Sequence, residues 1–577
     1  MYPLLKVQQN NGGFMLKKIF FAAMAFLLPV ILFAKGSGTP LMRVAFITDT
    51  HVYIKPQSAN LVKEAYKLFK SLKVDAVVNC GDIADRHHPT AYKNYRDAVS
   101  AVYGNEKAPV EFFAYANHDI GRDRTISQDK YFEMLKRDLK IFHDPESLTK
   151  FKGYNFVTVR QSVSQETFEK LIVQAVKDTP DKPVFLIDHI PAGSTVYDSA
   201  TWGSWWRRKI LEKYPQVIQF SGHVHGTLAN ELNIWQGKFT AINIGGLAYW
   251  HAVLMGNVVA SRNSDMALVM DVYKDKLVMR RFFCKTKNEY QPETPWVVYL
   301  PYEPSKAIYS PEKRNAESLP PEFARNSKVS VSVEHDGAVV KFPRAQHKDG
   351  VFFYKQELFR KDNGQWVRFS RKDIMGDFDI DNRPEVVEFF INNGYLDSNK
   401  EYKIKLTPVH IFGKEGKAIY GEFATKEVKN DSVVVFETSD PMKDCPFLEG
   451  LKSDKAIAKD KDGYYDFKRE GRLIFPDEIW EGPTYTQFRV TVKMHGKQGK
   501  LRWTLTMRNP KPQSNGNNRF YTEPGDNGVQ RYVIDMYKSS PKYKYYLLIR
   551  EGSPGKVRFE HIKIERMNKL FRRNQRL

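Results

Sequence analysis

The chain has 577 residues, of which 42% are hydrophobic and 27% are charged. At roughly 100 to 200 residues per domain, this length predicts about three domains with full hydrophobic cores. The composition excludes a collagen-like or largely disordered protein. Three cysteines are too few for a disulfide framework, which excludes a small disulfide-stapled scaffold.

Lys and Arg outnumber Asp and Glu by 89 to 67, which gives a net charge of +22. A surface with this charge attracts anions such as phosphates, nucleic acid, acidic glycans or lipids. The basic residues are dispersed along the chain, and this argues against nucleic-acid binding driven by charge alone.

The N-terminus has the pattern of a secretory signal peptide. Lys17 and Lys18 precede an apolar run over residues 19–34, and small residues follow. The run is shorter than the ~18 or more residues of a spanning helix and contains Pro29, which favours cleavage over anchoring. We therefore expect residues 1–36 to be removed and the protein to be exported, periplasmic, secreted or on the cell surface, with no integral membrane partner.

Residues 40–290 alternate short apolar runs with helical periodicity, which is typical of an α/β domain. An apolar helical face over residues 61–72 lies between the first two strands. The predicted strands are 43–48, 76–80, 110–115, 184–188 and 217–220, with a hairpin at 266–273 and 277–283.

A domain boundary is predicted at residues 291–321, where seven prolines exclude long helices and central strands and indicate a linker. Beyond it, Val329, Val331 and Val333 alternate with polar residues, so we expect a β-sandwich over residues 322–428. The segment around Tyr402 resembles the fibronectin type III pattern, in which a tyrosine forms a corner.

A second β-sandwich is predicted over residues 429–577. Apolar residues alternate over 488–494 and again over 501–507. The closing strand, 557–565, resembles that of jelly-roll carbohydrate-binding modules. This resemblance implies contact with a glycan or cell surface through the C-terminal sandwiches.

Five polar clusters follow apolar strands of the α/β region. Loops at the carboxyl ends of neighbouring strands converge in an open α/β sheet, so these clusters can meet. Their imidazoles, carboxylates and amide suit Mn, Fe or Zn, and the donors exceed the four of one tetrahedral ion, which indicates two ions sharing a carboxylate. The clusters are Asp49-Thr50-His51, Gly81-Asp82, Asn117-His118-Asp119, His189 and Gly222-His223-Val224-His225. The remaining histidines of the region, such as His251, receive no role.

In this order the clusters give D-x-H, G-D, N-H-D, H and G-H-x-H, and residues 41–284 resemble the calcineurin-like metallophosphoesterases. One position departs from the family pattern, because Ala116 stands where a glycine usually precedes Asn-His. The resemblance implies an αββα sandwich: an α/β metallophosphoesterase domain followed here by the two all-β domains.

The resemblance also implies a division of roles within the site. A hydroxide bridging the two ions is the nucleophile, and His118, which receives no metal, is the general acid for the leaving oxygen. It assigns the metal ligands as Asp49, His51 and His225 for one ion, Asn117, His189 and His223 for the other, and Asp82 as the bridge.

The second cluster continues to Arg86 as G-D-x-x-D-R, which resembles the protein-phosphatase branch. That resemblance implies that Asp85 orients His118 and that Arg86 holds the substrate phosphate. The alternative is an Asp-Arg pair that merely begins a helix.

A second group of substrate contacts is predicted after His189, where tryptophans adjoin arginines. Aromatic rings can stack on a base while a guanidinium binds phosphate. The alternative is a helix with aromatic core contacts. The predicted contacts are Trp202, Trp206 and Arg207. Tyr249, after Gly245-Gly246, forms either a wall of the same crevice or a packing contact.

The leading hypothesis is an exported binuclear phosphoesterase that acts on a nucleotide or an envelope phosphodiester, with diesters favoured slightly over monoesters. A phosphomonoesterase is the nearest alternative. The alternative from another class is a non-catalytic adhesion or glycan-binding protein that uses the α/β domain as a scaffold. Metal content separates the two classes, because a scaffold has no need of two ions.

Overall fold

The computed structural model describes residues 38–425, apart from 122, 124, 255–256, 335–336, 393–395 and 398, and then 432–440, 447–450, 461–463, 465–467, 470–480, 487–497, 503–508, 519–522, 529–537, 546–551 and 555–567. They form two compact units, one ending at Ser318 and including Asp379–Asp381, and one comprising Leu319–Phe378 and the residues from Asn382 onward. The predicted signal peptide lies outside the described residues. None of the helices described is long and apolar enough to cross a membrane.

The first unit contains fifteen strands and seven α-helices among its described residues. The strands are β1 (Met42–Ile47), β2 (Ala76–Asn79), β3 (Val110–Phe113), β4 (Ser147–Phe151), β5 (Tyr154–Thr158), β6 (Val184–Ile187), β7 (Val217–Ser221), β8 (Ile234–Gln236), β9 (Thr240–Asn243), β10 (Tyr249–Leu254), β11 (Asn257–Asn263), β12 (Met266–Val272), β13 (Lys276–Phe283), β14 (Glu289–Tyr290) and β15 (Trp296–Tyr299). The helices are α1 (Asn60–Leu72), α2 (Pro89–Tyr103), α3 (Gln128–Leu139), α4 (Gln165–Asp178), α5 (Ser199–Trp202), α6 (Trp205–Leu211) and α7 (Pro311–Glu317).

Two sheets form the centre of this unit. The first has the order β14-β13-β12-β1-β2-β3, with β15 also paired to β13, and the second has the order β4-β5-β6-β7-β9-β8. Strands β1, β2 and β3 are parallel, as are β5, β6, β7 and β9. In the first sheet Val44 lies opposite Ala76, which lies opposite Val110.

The two sheets pack face to face. Phe46 of β1 stacks on Phe220 of β7 with ring centroids 4.2 Å apart, and Phe112 of β3 stacks on Phe156 of β5 at 4.6 Å. Helices α1, α2 and α3 cover the outer side of the first sheet, and α4 and α6 cover that of the second. This confirms the α/β metallophosphoesterase-type sandwich predicted from the sequence.

Helix α1 shows how the sequence pattern produces this layer. Its buried side chains include Val62, Ala65, Tyr66 and Phe69, which recur at the spacing of one helical face. The helix ends at Lys73, which adopts a left-handed φ of 53° and donates its backbone N–H to the last turn.

The segment predicted as a linker is folded into the first unit up to Ser318. Strand β15 pairs with β13, and Trp296 is buried. Pro304 begins a 3-10 turn and Pro311 begins α7, positions where proline's missing N–H costs nothing. The proline-rich composition therefore reflects short capped elements, and the first unit extends past the predicted end at residue 290.

A buried carboxylate anchors this segment. Glu231 accepts hydrogen bonds from Trp296 Nε1 at 2.9 Å, from Arg281 and from Arg314 of α7. Burial by itself would raise the pKa of Glu231, but the two guanidinium groups outweigh burial and lower that pKa to about 2. The ion cluster thus ties α7 and β15 to the α/β core.

The second unit contains seventeen strands among its described residues. They are β16 (Ser330–Glu334), β17 (Gly337–Pro343), β18 (Val351–Asp362), β19 (Gln365–Met375), β20 (Val386–Asn392), β21 (Glu401–His410), β22 (Ile419–Ala424), β23 (Ser432–Thr438), β24 (Phe447–Gly450), β25 (Tyr465–Phe467), β26 (Glu470–Ile474), β27 (Gln487–Lys497), β28 (Trp503–Arg508), β29 (Arg519–Thr522), β30 (Val529–Tyr537), β31 (Tyr546–Glu551) and β32 (Gly555–Met567).

These strands form four sheets. The first two, β16-β17-β20 and β19-β18-β21-β22, share a core that includes Val340, Tyr354 and Ile404. Tyr402 is fully buried, and its hydroxyl accepts a hydrogen bond from the backbone N–H of Asp397 at 2.6 Å. The relation of this domain to the fibronectin type III family stays a prediction.

The other two sheets are β23-β32-β27-β30, with β25 beside β32, and β24-β26-β31-β28-β29. The alternating residues of β27 are all buried on one side of the strand. They are Phe488, Val490, Val492 and Met494. An all-β C-terminal region is thus confirmed, while its binding of carbohydrate stays a prediction.

We expect Glu231→Gln to destabilise the first unit by about 3–5 kcal/mol, because it leaves the buried Arg281 and Arg314 with uncompensated charge. Thermal and urea unfolding would measure this. The matched control is Glu133→Gln, which removes an exposed partner of Lys130 and should leave stability nearly unchanged.

The same cluster predicts a pH dependence. Because the folded-state pKa of Glu231 is depressed to about 2, its contribution is complete above the ordinary glutamate pKa of about 4.3 and is lost as pH falls towards 2. An unchanged stability difference between wild type and Glu231→Gln from pH 6 to pH 2.5 would contradict this assignment.

Candidate metal centre

Five loops meet at the carboxyl ends of the parallel strands. Asp49 and His51 follow β1, Asp82 follows β2, Asn117 and His118 lie beyond β3, His189 follows β6, and His223 and His225 follow β7. The two sheets lie face to face, so these ends share one edge of the sandwich.

One group of donors surrounds Asp49. Asp49 Oδ1 lies 3.1 Å from His225 Nε2, and His225 Nε2 lies 3.1 Å from His51 Nε2. With Asp82, these residues offer four ligand atoms that all lie within 4.8 Å of one another, and all four residues are buried. Two carboxylates and two imidazoles at this spacing form a site that can bind a divalent cation.

A second group extends from the other side of Asp82. Asp82 Oδ2 lies 3.3 Å from His189 Nε2, and the rings of His189 and His223 have centroids 5.1 Å apart. The backbone N–H of His223 donates to Asp49 Oδ2 at 3.1 Å. The Asn117 Oδ1 atom is buried and makes no hydrogen bond within the described part of the chain. A buried oxygen without a hydrogen-bond partner is a candidate cation ligand, and the next residue, His118, bonds to Asp82 through its backbone N–H.

The orientation of His189 is set by the backbone. Its Nδ1 donates to the carbonyl oxygen of Cys80 at 2.8 Å, which leaves Nε2 as the ligand atom facing Asp82. Burial of the His189 ring opposes protonation, but the Asp82 and Asp49 carboxylates raise its pKa to about 10.

The pKa values of the other predicted ligands shift in both directions. Burial lowers the pKa of His51 and of His223 to about 4, whereas Asp49 outweighs burial and raises that of His225. Despite burial, the neighbouring histidines lower the pKa of Asp49 well below its ordinary value. The Asp49 and Asp82 carboxylates therefore favour positive charge on the groups beside them, as a cation-binding site requires.

Five of these residues have backbones in the left-handed region, which is uncommon for non-glycine residues and costs about 1–3 kcal/mol each. Hydrogen bonds between loops hold them there, such as that from Asp49 N to the carbonyl of Gly81 at 2.9 Å. The five, with φ between 41° and 71°, are Asp49, His51, Asp82, His223 and His225.

Two glycines allow the loops to approach. A Cβ on Gly81, whose φ is +101°, would lie 2.7 Å from the Ala116 Cβ, and one on Gly222 would lie 2.4 Å from Asp49 Oδ2. Ala116 itself is buried without a left-handed φ. The departure from the family pattern at this position therefore requires no strained alanine.

Asp119 is a positioning residue that the sequence placed in a cluster without a role. Its Oδ1 accepts the backbone N–H groups of Ile83 at 3.1 Å and Ala84 at 3.3 Å, so it joins the third cluster to the second. Burial and the nearby Asp82 charge raise the pKa of Asp119 to about 8.

His118 lies at the opening of the cluster. Its backbone N–H donates to Asp82 Oδ1 at 2.9 Å, and its Nδ1 donates to the backbone carbonyl of Asp85 at 2.6 Å. The side chain is half-buried, and its ring centroid is 4.8 Å from that of His51. This bond leaves Nε2 for a substrate oxygen.

The contact between Asp85 and His118 differs from the one the resemblance implies. The backbone carbonyl of Asp85 holds His118, while the Asp85 carboxylate lies 3.8 Å from His51 Nδ1. Arg86 lies at the surface with its side chain 63% exposed, and its Nε is 3.9 Å from Asp85 Oδ2.

The predicted substrate residues after His189 separate into two kinds. Arg207 is buried and donates to Asp188 Oδ2 at 2.7 Å and to the carbonyl of Gln161 at 2.9 Å, so it serves the core. Trp206 packs edge-on against Phe168. Both residues belong to helix α6, which packs on the second sheet.

Trp202 is placed differently. It is exposed, and its ring centroid lies 6.2 Å from that of His223. Of the three contacts predicted in that segment, it is the one beside a predicted metal ligand.

Two further side chains border the cluster. The Tyr249 ring lies 4.5 Å from His225 and 5.2 Å from His51, so it forms a wall as well as a packing contact. The ring of His251 lies 5.3 Å from that of His225. His251 comes from strand β10 and not from a strand-end cluster, so the pattern that identifies the other ligands gives no signal for it.

Comparison with known proteins gives one family match and several structural similarities. A family model for calcineurin-like phosphoesterases matches residues 42–227. The structure is similar to that of a purple acid phosphatase, PPD1, from yellow lupin (Lupinus luteus) seeds, with 15% identity over 48% of this chain and 57% of that chain and a TM-score of 0.34. It is also similar to the structure of PhoD, with 13% identity over 46% of this chain and 71% of that chain and a TM-score of 0.31. No curated protein sequence matches the chain.

The match to the calcineurin-like phosphoesterase family model spans the strands and loops that carry all seven predicted metal ligands. The chain spans 57% of the length of the lupin phosphatase. Within the matched residues, the aspartate and histidine cluster is of a kind that can hold a metal ion.

We expect Asp82→Asn to lower the metal content, because the change removes the carboxylate charge between the two donor groups. Metal analysis by inductively coupled plasma mass spectrometry after Mn loading measures this. His118→Ala is the control, since it removes a ring beside the cluster that has no metal assigned. Equal metal content in Asp82→Asn and wild type would refute the bridging role.

Proposed function

We propose that the protein is an exported binuclear phosphoesterase. The observation that carries this proposal is the position of Asp82, whose carboxylate lies within reach of both donor groups. A shared carboxylate is the arrangement expected of two adjacent ions. Mn, Fe and Zn are the ions that the donor set suits.

When bound, two such ions supply Lewis-acid stabilisation of the phosphoryl oxygens and lower the pKa of water to about 7. The chain itself supplies the donors that fix their positions and a proton donor for the leaving group. His118 fits this second role, because the Asp85 carbonyl occupies Nδ1 and holds the ring with Nε2 away from that bond. Arg86, which is exposed next to Asp85, is a candidate for binding a phosphate oxygen.

Among phosphoesters, we propose a preference for diesters, with a nucleotide or an envelope phosphodiester as substrate. The positive net charge of +22 supports an anionic substrate. The exposed Trp202 beside His223 supports one that carries a group beyond the phosphate. A phosphomonoesterase is the alternative.

The site favours an enzyme over a scaffold. All seven predicted ligands are present in the sequence, and the buried donors converge on two carboxylates. The N-terminal apolar run supports export, and the C-terminal β domains are proposed to contact a glycan or cell surface.

The test uses protein without residues 1–36, loaded with Mn, and compares hydrolysis of bis(p-nitrophenyl) phosphate with that of p-nitrophenyl phosphate. We expect faster cleavage of the diester. A preference for the monoester would indicate a phosphatase, and chains without bound metal or activity would favour the scaffold.

His118→Ala tests the general-acid role of His118 independently of metal binding. Removing a general acid costs typically about 10²–10⁴-fold, and most where the leaving group is a poor one. We therefore expect a loss of that order for an alkoxide leaving group and a much smaller loss for p-nitrophenolate, with metal content retained. Equal losses for both leaving groups would contradict the assignment.

A further inference from the structure

Trp202 is a large aromatic residue that is exposed to solvent beside the candidate metal centre. Its side chain is 58% exposed, and its ring meets that of His223 edge-on at 80°. Exposing an indole to water forgoes the free energy that its burial would supply. A ligand that covers the ring would recover this energy.

The position of Trp202 is fixed by the loop that follows His189. The Trp202 N–H donates to the carbonyl of Asp198 at 3.2 Å, and Ser204 N donates to the carbonyl of Pro191 at 2.8 Å. A Cβ on Gly203 would lie 2.4 Å from the Ser199 carbonyl oxygen, so the turn after Trp202 is closely packed. The same loop therefore carries both a predicted ligand and the exposed ring.

Trp202 lies at one end of a row of rings. His223 adjoins it, His189 adjoins His223 at 5.1 Å, and Asp82 follows. At the other end, Tyr249 packs on His225. A phosphoryl group bound through cations at this cluster would direct one of its substituents towards the His223 side, where Trp202 lies.

Resting on the proposed phosphoesterase activity, we propose that Trp202 determines specificity by stacking against a planar aromatic group of the substrate. Indole faces stack on any flat π-system and tolerate different rings. A nucleobase and a simple aryl group share this chemistry. The substrate class is therefore a phosphoester in which the group retained on phosphorus carries a flat ring.

Trp205 provides a matched control. Its side chain is 53% exposed and it lies three residues further on, but its ring packs over the Arg208 guanidinium at 5.7 Å and against Gly193. Loss of Trp205 removes the same kind of exposed surface without removing the ring beside His223.

The experiment uses three p-nitrophenyl phosphodiesters that share a leaving group: the methyl, phenyl and thymidine 5′ esters. The proposed donor to the leaving group, His118, lies beside His51, whereas Trp202 lies beside His223, so the shared p-nitrophenyl group is expected on the side away from Trp202. In the Mn-loaded chain, Trp202→Ala should therefore raise KM about tenfold for the two esters whose retained group carries a ring, as expected for the loss of one stacking contact. KM for the methyl ester should be nearly unchanged. Trp202→Phe should retain most of the preference, and Trp205→Ala should behave as wild type.

The outcomes show which kind of aromatic group Trp202 recognises. An effect on the phenyl and thymidine esters together indicates recognition of any flat group, and an effect on the thymidine ester alone indicates a nucleobase. Equal changes for all three esters, or none, would overturn the proposal.

Binding of thymidine 5′-monophosphate and methyl phosphate, measured by calorimetry, keeps the two proposals distinguishable. A Trp202-dependent preference for the nucleotide in protein that hydrolyses none of the esters would refute the phosphoesterase activity and support the aromatic contact. Equal affinities of wild type and Trp202→Ala for the nucleotide would refute the aromatic contact.

Discussion

Two buried carboxylates, Asp49 and Asp82, impose the main constraint on the first unit. An ionised carboxylate in a dry interior is costly unless positive charge lies beside it. Here the charge comes from His189 and His225, whose pKa values the carboxylates raise against the effect of burial. The surrounding loops place these two histidines beside the carboxylates.

Bringing these charged groups together requires unfavourable backbone conformations. Asp49, Asp82 and the predicted ligands His51, His223 and His225 adopt left-handed φ values that their side chains disfavour. Packing of the two-sheet core offsets the cost of these backbone conformations, because the buried strands fix both ends of each loop. A rigid scaffold thus maintains a strained but preorganised set of donors, as catalysis by positioned groups requires.

The arrangement around His118 shows how the backbone shares in this organisation. The Asp85 carbonyl, and not its side chain, receives the Nδ1 hydrogen bond. A carbonyl is always present and always an acceptor, so the ring orientation does not depend on ionisation of a carboxylate. The Asp85 carboxylate is left to face His51 Nδ1, on the side of the cluster where the ring of Tyr249 also packs.

The sequence by itself determined the α/β class, seven strands of the first unit and the five clusters, because the central strands are mostly apolar where two layers bury them and the clustered Asp, Asn and His residues follow their ends. It could not determine which atoms meet. Arg207 is drawn into the core by Asp188, and residues up to Ser318 are held by Glu231, partners distant in the chain. Such pairings depend on how the two sheets stack and on the directions of side chains, and a local pattern contains no information about either. Only the tertiary structure decided that, of the tryptophans in its segment, Trp202 lies beside the predicted ligand His223.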